Sequence, residues 1–284
     1  MKLTKEQYDQ YEEQGFLVLP NFVSPESVDG LRDEMKRLID ELDTSSLIKT
    51  VFTSDEQARK TNQYFLESGD KISFFFETAA LNDKDEICVD KQVAFNKVGH
   101  ALHDLNPVFE KFSYQDAIKD VMRPLYKKPL SVQSMYIFKN PKIGGEVSIH
   151  QDSTFLHTTP LTTHALWFAF EDANVVNGCL RGLPGSHKNG IYKRFKRNPD
   201  GTCTFDVVNE NEPTYDKKDF IPLECKKGSA ILLHGSAVHY SEPNTSGISR
   251  HAYTLHFIEG DGSALYEEDN WLQRPNPNLP FREL

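Results

Sequence analysis

The sequence has little cysteine and no long apolar run. Its four cysteines, Cys88, Cys179, Cys203 and Cys225, are far apart and form no Cys-x-x-Cys pair, which excludes a zinc knuckle or a dithiol redox motif of that kind. No apolar run reaches the length of about 18 residues that spans a bilayer, and Met1–Lys5 lacks the apolar segment of a secretory signal peptide. The last residues lack the pattern of a peroxisomal address. These absences predict a cytoplasmic protein.

Positive charge is also scarce. Lys and Arg number 32 against 42 Asp and Glu, so the formal charge is −10. Binding to a nucleic-acid backbone depends on clustered basic side chains, and the chain offers one short basic run, Lys193–Arg197. That run could meet an anionic substrate if it lies beside an active site. We expect an organic substrate, which the sequence does not identify, and no nucleic-acid or membrane partner; the oligomeric state is left open.

The first 70 residues or so predict helices around one short strand. Thr4 and Gln7 have the spacing of a capping box, and Gly15 is placed to end the helix that follows. Phe16–Leu19 predicts a buried strand. Ser24-Pro25 then starts a second helix, whose apolar residues recur every three or four positions: Val28, Leu31, Met35, Leu38 and Leu42.

From about Leu130 the pattern changes to short β-rich segments separated by Pro- and Gly-containing turns. The predicted strands are Leu130–Phe138, Glu146–His150, His164–Phe170, Ser229–Leu233 and Ala252–Ile258. Residues 188–218 are polar and read as a surface insertion. We therefore predict one domain over residues 1–284, mainly β with flanking helices, in which a sandwich or barrel over residues 130–258 has the N-terminal helices packed outside.

A candidate metal site begins with His150-x-Asp152 at the end of a predicted strand. The two-residue period of a strand puts both side chains on one face, as a facial triad of two histidines and one carboxylate requires. The third ligand is His234 or His239, which are five residues apart. Ser241 and Arg250 follow His239 by two (239 to 241) and eleven (239 to 250) residues, and a hydroxyl beside an Arg suits a carboxylate of a co-substrate.

These residues resemble the phytanoyl-CoA dioxygenase family, in which the second of two such histidines is the ligand, here His239. Gly178-Cys179-Leu180 and Pro184-Gly185-Ser186-His187 are also similar to family signatures. The chain departs from the family at Arg181-Gly182, where relatives carry bulky apolar residues, and the departure bears on how that strand packs.

The resemblance implies a double-stranded β-helix of the jelly-roll or cupin-like type and an Fe(II)- and 2-oxoglutarate-dependent dioxygenase. His150, Asp152 and His239 would bind iron, and Ser241 and Arg250 would bind 2-oxoglutarate. Lys97, Met135 and Trp167 correspond in position to residues that line the co-substrate pocket of a relative, Lys97 as a second cation and the others as apolar walls. The implied reaction uses O2, releases succinate and CO2, and hydroxylates a substrate, with ascorbate as a candidate reductant.

Two other kinds of function fit part of the pattern. A cupin-type metal enzyme of non-oxidative chemistry would use more histidines and would not need Arg250, while a non-catalytic sensor would bind 2-oxoglutarate and metal without turnover. His100 and His103, three residues apart in a predicted helix, offer a weaker candidate zinc pair.

Overall fold

The computed structural model describes residues 2–45, 49–51 and 63–284, so the part of the predicted N-terminal helical region that falls in 46–48 and 52–62 lies outside the described residues. The helices are α1 (Lys5–Gln14), α2 (Pro25–Glu41), α3 (Gln63–Leu66), α4 (Leu102–Leu105), α5 (Pro107–Ser113) and α6 (Asp116–Met122). Among the described residues, none of the helices has the length and apolar character needed to cross a membrane.

The strands are β1 (Phe16–Leu19), β2 (Ile72–Phe76), β3 (Phe95–His100), β4 (Pro129–Ile137), β5 (Val147–His150), β6 (Thr158–Thr159), β7 (His164–Ala169), β8 (Leu180–Gly182), β9 (Lys193–Arg197), β10 (Cys203–Val207), β11 (Ile221–Pro222), β12 (Ala230–His234), β13 (His239–Ser241), β14 (Ala252–Glu259), β15 (Leu265–Tyr266) and β16 (Arg282–Glu283). The five strands predicted after residue 129 are thus confirmed to within one residue at each end.

The local signals at the N-terminus are confirmed. Thr4 and Gln7 form the capping box, and Gly15, at a φ of 83°, ends α1 in the left-handed conformation that glycine adopts readily. Ser24 caps α2 by accepting a hydrogen bond from the backbone N–H of Ser27. Val28, Leu31 and Met35 of the predicted stripe on α2 are buried. Leu38 and Leu42 are only partly buried against the same core, and Ile39, which the predicted stripe did not include, is the next buried residue after Met35.

Two antiparallel sheets form the body of the protein. The larger one has the order β1-β12-β7-β14-β4-β3-β2, with β16 beside β4, and the smaller one has the order β11-β8-β13-β5. The larger sheet therefore also includes strands that lie outside residues 130–258. Apolar residues from both sheets meet in one buried cluster, among them Trp167 of β7 and Leu180 of β8. This arrangement is the predicted double-stranded β-helix.

Side chains of the larger sheet alternate between two buried layers. Ala165, Trp167 and Ala169 of β7 face the smaller sheet, while Leu166 and Phe168 face a second core that includes residues of α1, α2, α5 and α6. The sheet is therefore buried on both faces, and its polar residues on the inner face lie inside the barrel. The helices pack outside, as predicted.

The predicted insertion contains a hairpin of β9 and β10 that packs one face inward through Phe195 and Cys203. Its basic run is compensated by nearby acceptors: Lys193 Nζ lies 3.0 Å from Glu212, Lys196 pairs with Asp206, Arg194 pairs with Asp269, and Arg197 donates to the carbonyl of Leu66.

Candidate active site

His150 and His239 are brought together by the smaller sheet. β5 ends at His150 and β13 begins at His239, and the two residues are paired across these strands, with ring centroids 4.3 Å apart. Asp152 starts the short turn after β5, and its Oδ1 lies 3.6 Å from Nε2 of His150 and 3.8 Å from Nε2 of His239. Within the described ranges this is the one cluster of three such side chains whose ligand atoms lie within 4.8 Å of one another.

Backbone carbonyls fix the orientation of both imidazoles. Nδ1 of His150 lies 2.7 Å from the carbonyl oxygen of Ser148, and Nδ1 of His239 lies 3.0 Å from that of Ala237. Since a carbonyl only accepts, each Nδ1 carries the proton and each Nε2 presents its lone pair to the centre of the cluster. Burial, reinforced by His150, lowers the pKa of His239 to about 4, which keeps this imidazole neutral at physiological pH.

Asp152 is held as a carboxylate. Burial by itself would raise its pKa, but the imidazoles of His239 and His256 together hold the pKa of this carboxyl well below its usual value. A carboxylate oxygen beside the Nε2 atoms of two imidazoles is the donor set of a facial triad, which suits Fe(II). The residues therefore fit this ion.

Arg250 is buried beside Trp167 and Ser241. Its Nε donates to the carbonyl oxygen of Gly178 at 3.0 Å, and its Nη2 donates to Oγ of Ser241 at 3.2 Å. Burial lowers the pKa of Arg250 to about 10, so the guanidinium stays charged at neutral pH.

Three buried hydrogen-bond donors near Arg250 have no partner among the described residues: Arg250 Nη1, Trp167 Nε1 and Thr254 Oγ1. They come from neighbouring parts of the barrel interior, because Thr254 of β14 is paired with Trp167 on one side and with Met135 on the other. Unpaired buried donors are rare and unfavourable. A carboxylate, which only accepts, is a group that all three could bind.

Lys97 and Met135 line a cavity whose walls also include His150 and Asp152. Lys97 is on β3 and Met135 on β4, where the two strands are paired. A further buried amine, that of Lys139, was not singled out from the sequence. Its Nζ donates to the carbonyl oxygens of Gly145 and Glu242, each at 2.7 Å, while burial and then Arg250 lower its pKa to about 6.

The other histidines considered from the sequence lie elsewhere. His234 packs between His164 and His187, with ring centroids 5.0 Å away in each case, and is not in the cluster with Asp152. His100 and His103 were predicted to lie in one helix. This prediction is wrong for His100, which is the last residue of β3, whereas His103 lies in α4. Nδ1 of each of these two lies 2.8 Å from a serine hydroxyl, and neither belongs to a metal cluster among the described residues.

Two polar residues of the barrel interior escaped the sequence interpretation, Thr254 and His256. Both follow Ala252 at a spacing of two on β14, so they share its inward face. His256 Nε2 lies 3.3 Å from Oδ2 of Asp152. The sequence did contain a signal for them. Counted in steps of two from Arg250, Thr254 and His256 are polar residues on one face of an otherwise apolar strand.

His150 and Asp152 line a cavity with aromatic walls. Its apolar part includes Phe65, Trp271 and Phe155, and the insertion adds Tyr192, Phe205 and Tyr215. Parts of the chain that are distant in sequence therefore form the walls of this cavity together. An organic molecule with an apolar portion would find complementary contacts there.

Comparison with known proteins agrees with this geometry. The family model described as Phytanoyl-CoA dioxygenase (PhyH) matches residues 11–252. The chain is 62% identical over 281 residues to the phytanoyl-CoA dioxygenase domain-containing protein 1 homolog of Dictyostelium discoideum, covering 98% of this chain and 99% of that protein. It is 45% identical over 280 residues to the phytanoyl-CoA dioxygenase of Arabidopsis thaliana, covering 98% and 96% of the two chains.

Among solved structures, EctD from S. alaskensis with 2-oxoglutarate and 5-hydroxyectoine superposes with a TM-score of 0.64 at 16% identity, covering 99% of this chain and 84% of that one. At this level of identity the likeness shows the shared fold alone. The family model matches most of the sequence, and the similarity to the curated relatives extends over nearly all of it. The chain therefore belongs to the phytanoyl-CoA dioxygenase family.

Proposed function

We propose that the protein is an Fe(II)- and 2-oxoglutarate-dependent dioxygenase that couples the decarboxylation of 2-oxoglutarate to succinate and CO2 with hydroxylation of an organic substrate. The observation that carries the proposal is one barrel interior that combines the His150, Asp152 and His239 cluster with an unpaired donor of the buried Arg250. A protein that only binds a metal ion would not require the buried Arg250 with its unpaired donor.

His150, Asp152 and His239 would hold Fe(II), with Nε2 of both imidazoles already directed to it by the backbone carbonyls described above. Iron bound there supplies the activation of O2 that oxidises the substrate, and ascorbate is a candidate reductant to keep it in the Fe(II) state. A carboxylate is present at position 152, which supports hydroxylation as the proposed reaction.

The far carboxylate of 2-oxoglutarate would bind Arg250 and Ser241, where the guanidinium supplies charge and a directed N–H. Trp167 and Thr254 supply further donors on the same wall. Lys97 and Met135 would line the pocket, Lys97 as a second cation. The aromatic side chains around the cavity would bind the apolar part of the substrate and exclude water from the reacting atoms.

The test is a single-turnover assay in which the protein, loaded anaerobically with Fe(II) and 2-oxoglutarate, is exposed to O2 and succinate is measured. We expect succinate from the wild type, stimulated by a true substrate. Asp152→Ala and His239→Ala should abolish its formation, whereas His234→Ala, a matched change of a partly buried histidine outside the cluster, should retain it. Retention in His239→Ala and loss in His234→Ala would reverse the ligand assignment.

The same assay separates the alternatives. A sensor would bind 2-oxoglutarate tightly through Arg250 and form no succinate with any candidate substrate. A metal enzyme of non-oxidative chemistry would bind metal without dependence on 2-oxoglutarate and would accept zinc as well as Fe(II) in turnover. Either result would overturn the proposal.

A further inference from the structure

The two carboxylate oxygens of Asp152 have different neighbours. Oδ1 faces Nε2 of His150 and of His239, at 3.6 and 3.8 Å, whereas Oδ2 lies 3.3 Å from Nε2 of His256. We propose that His256 is a positioning residue whose Nε2–H holds Oδ2 of Asp152, so that Oδ1 alone is offered to the metal ion. This inference rests on the proposed function only for the identity of that ion.

The proton of His256 is fixed by its partner. An ionised carboxylate can only accept a hydrogen bond, so Nε2 must be the protonated nitrogen of the ring. Nδ1 of His256 is buried and has no hydrogen-bond partner among the described residues. A residue kept for packing alone would not place an unpaired nitrogen in the barrel interior, since such atoms are unfavourable. The contact with Asp152 is therefore the interaction that accounts for a histidine at this position.

The pairing of β14 with β4 is irregular next to His256. His256 is paired with Gln133 of β4, but the next residue, Phe257, is paired with Ser131, so β4 carries one extra residue at this point. Such bulges redirect side chains and are common beside active sites. On its other side His256 is paired with Ala165, a small residue that leaves the imidazole room to reach Asp152.

The contact has a consequence for coordination. With both oxygens unrestrained, a carboxylate can bind a metal through one oxygen or through two. Two histidines and one carboxylate oxygen leave three positions of an octahedral site open. Binding through both oxygens would leave two, which a 2-oxo acid that chelates through two atoms would fill, so that no position would remain for a further reactant. By holding Oδ2, His256 would favour the geometry with one oxygen. Partners of this kind typically change metal affinity by about 10–100-fold when they are removed.

The test measures Co(II) binding to the metal-free protein by calorimetry, together with the visible absorption of the bound ion, in variants of position 256. We expect His256→Leu to lower the Co(II) affinity by about 10–100-fold and to change the absorption spectrum. His256→Gln, whose amide nitrogen reaches the place of Nε2, should bind Co(II) much as the wild type does. His256→Asn, whose amide ends near the place of Nδ1, should resemble His256→Leu.

The control is His234→Leu, which removes a partly buried histidine of the same barrel, and circular dichroism reports the folded state of every variant. Equal affinities and spectra across the series, rescue by Asn in place of Gln, or an equal loss in His234→Leu would each overturn the inference. If His256→Leu does not fold, the comparison of Gln with Asn still decides. Because Co(II) binding needs no turnover, a wild type that binds Co(II) but forms no succinate would overturn the proposed function and leave this result standing.

Discussion

Arg250 lies over the face of Trp167, with its guanidinium carbon 5.2 Å from the centroid of the indole ring. Two of its nitrogens are fixed by Gly178 and Ser241, and the third, Nη1, has no partner among the described residues. A buried, charged and incompletely paired guanidinium is unfavourable in isolation. An anionic ligand that completes the hydrogen bonds of Arg250 inside the barrel would account for this arrangement.

The first prediction concerns this guanidinium. Arg250→Lys keeps the charge but loses the planar fork and the stacking on Trp167, so we expect the Kd for 2-oxoglutarate to rise by about 10–100-fold, as removal of a charge-assisted hydrogen bond does. Calorimetry with the Co(II)-loaded protein measures it. Arg181→Lys is the control, because Arg181 is a partly exposed residue of β8 whose neighbours Leu180 and Gly182 are buried. An unchanged Kd in Arg250→Lys would contradict the assigned role.

Thr254 supplies the second prediction. Thr254→Val preserves the shape of the side chain and removes a hydroxyl that is buried without a partner among the described residues. We expect the Kd for 2-oxoglutarate to rise by about 3–10-fold, while the ligand-free protein keeps or gains stability. Thr163→Val is the matched control: its hydroxyl donates to the carbonyl of Leu156, so its loss should lower the melting temperature and leave the Kd unchanged. Destabilisation by Thr254→Val without an effect on Kd would show a packing role.

The sequence predicted what depends on local patterns. The caps of α1 and α2 and the strands after residue 129 follow from residue preferences and from periods of two and of three to four. His150 and Asp152 share a strand end, so their proximity follows from the same period. His256 could not be found in this way, because its contact with Asp152 depends on the order of β14, β4 and β7 in the sheet and on a bulge. The same holds for Thr254, whose significance comes from the absence of a partner in three dimensions.

The third prediction concerns stability at acid pH and the neighbouring rings of His164, His234 and His187. Burial, and then the proximity of His234, lower the pKa of His164 to about 3, and burial, followed by the effect of His187, lowers the pKa of His234 to about 4. Nδ1 of His164 lies 3.0 Å from the carbonyl oxygen of Thr162 and 2.7 Å from the hydroxyl of Tyr126. These imidazoles are therefore neutral in the folded protein.

Because the unfolded chain binds protons at its ordinary pKa of 6.5 and the folded one does not, the free energy of unfolding should be fully retained above that pH and fall as the pH drops below it. His164→Gln removes one such group and should reduce the slope by up to about 1.4 kcal/mol per pH unit between about pH 6 and 4. Urea unfolding at a series of pH values measures it. Above about pH 7 the two curves should run parallel, and equal slopes at acid pH would contradict the prediction.

The last prediction concerns the packing of Gly182 on β8. A Cβ atom at this position would lie 2.6 Å from Cε1 of Phe16, so the ring of a residue on β1 occupies the space that a side chain of β8 would need. Gly182→Val should therefore lower the free energy of unfolding by about 1–3 kcal/mol, and Phe16→Leu should recover part of that loss in the double variant. Gly247→Val is the control, since its Cβ would meet no atom within 4 Å. Additive effects in a double-mutant cycle, measured by urea unfolding, would show that the glycine at 182 serves something other than the packing of Phe16 between the two sheets.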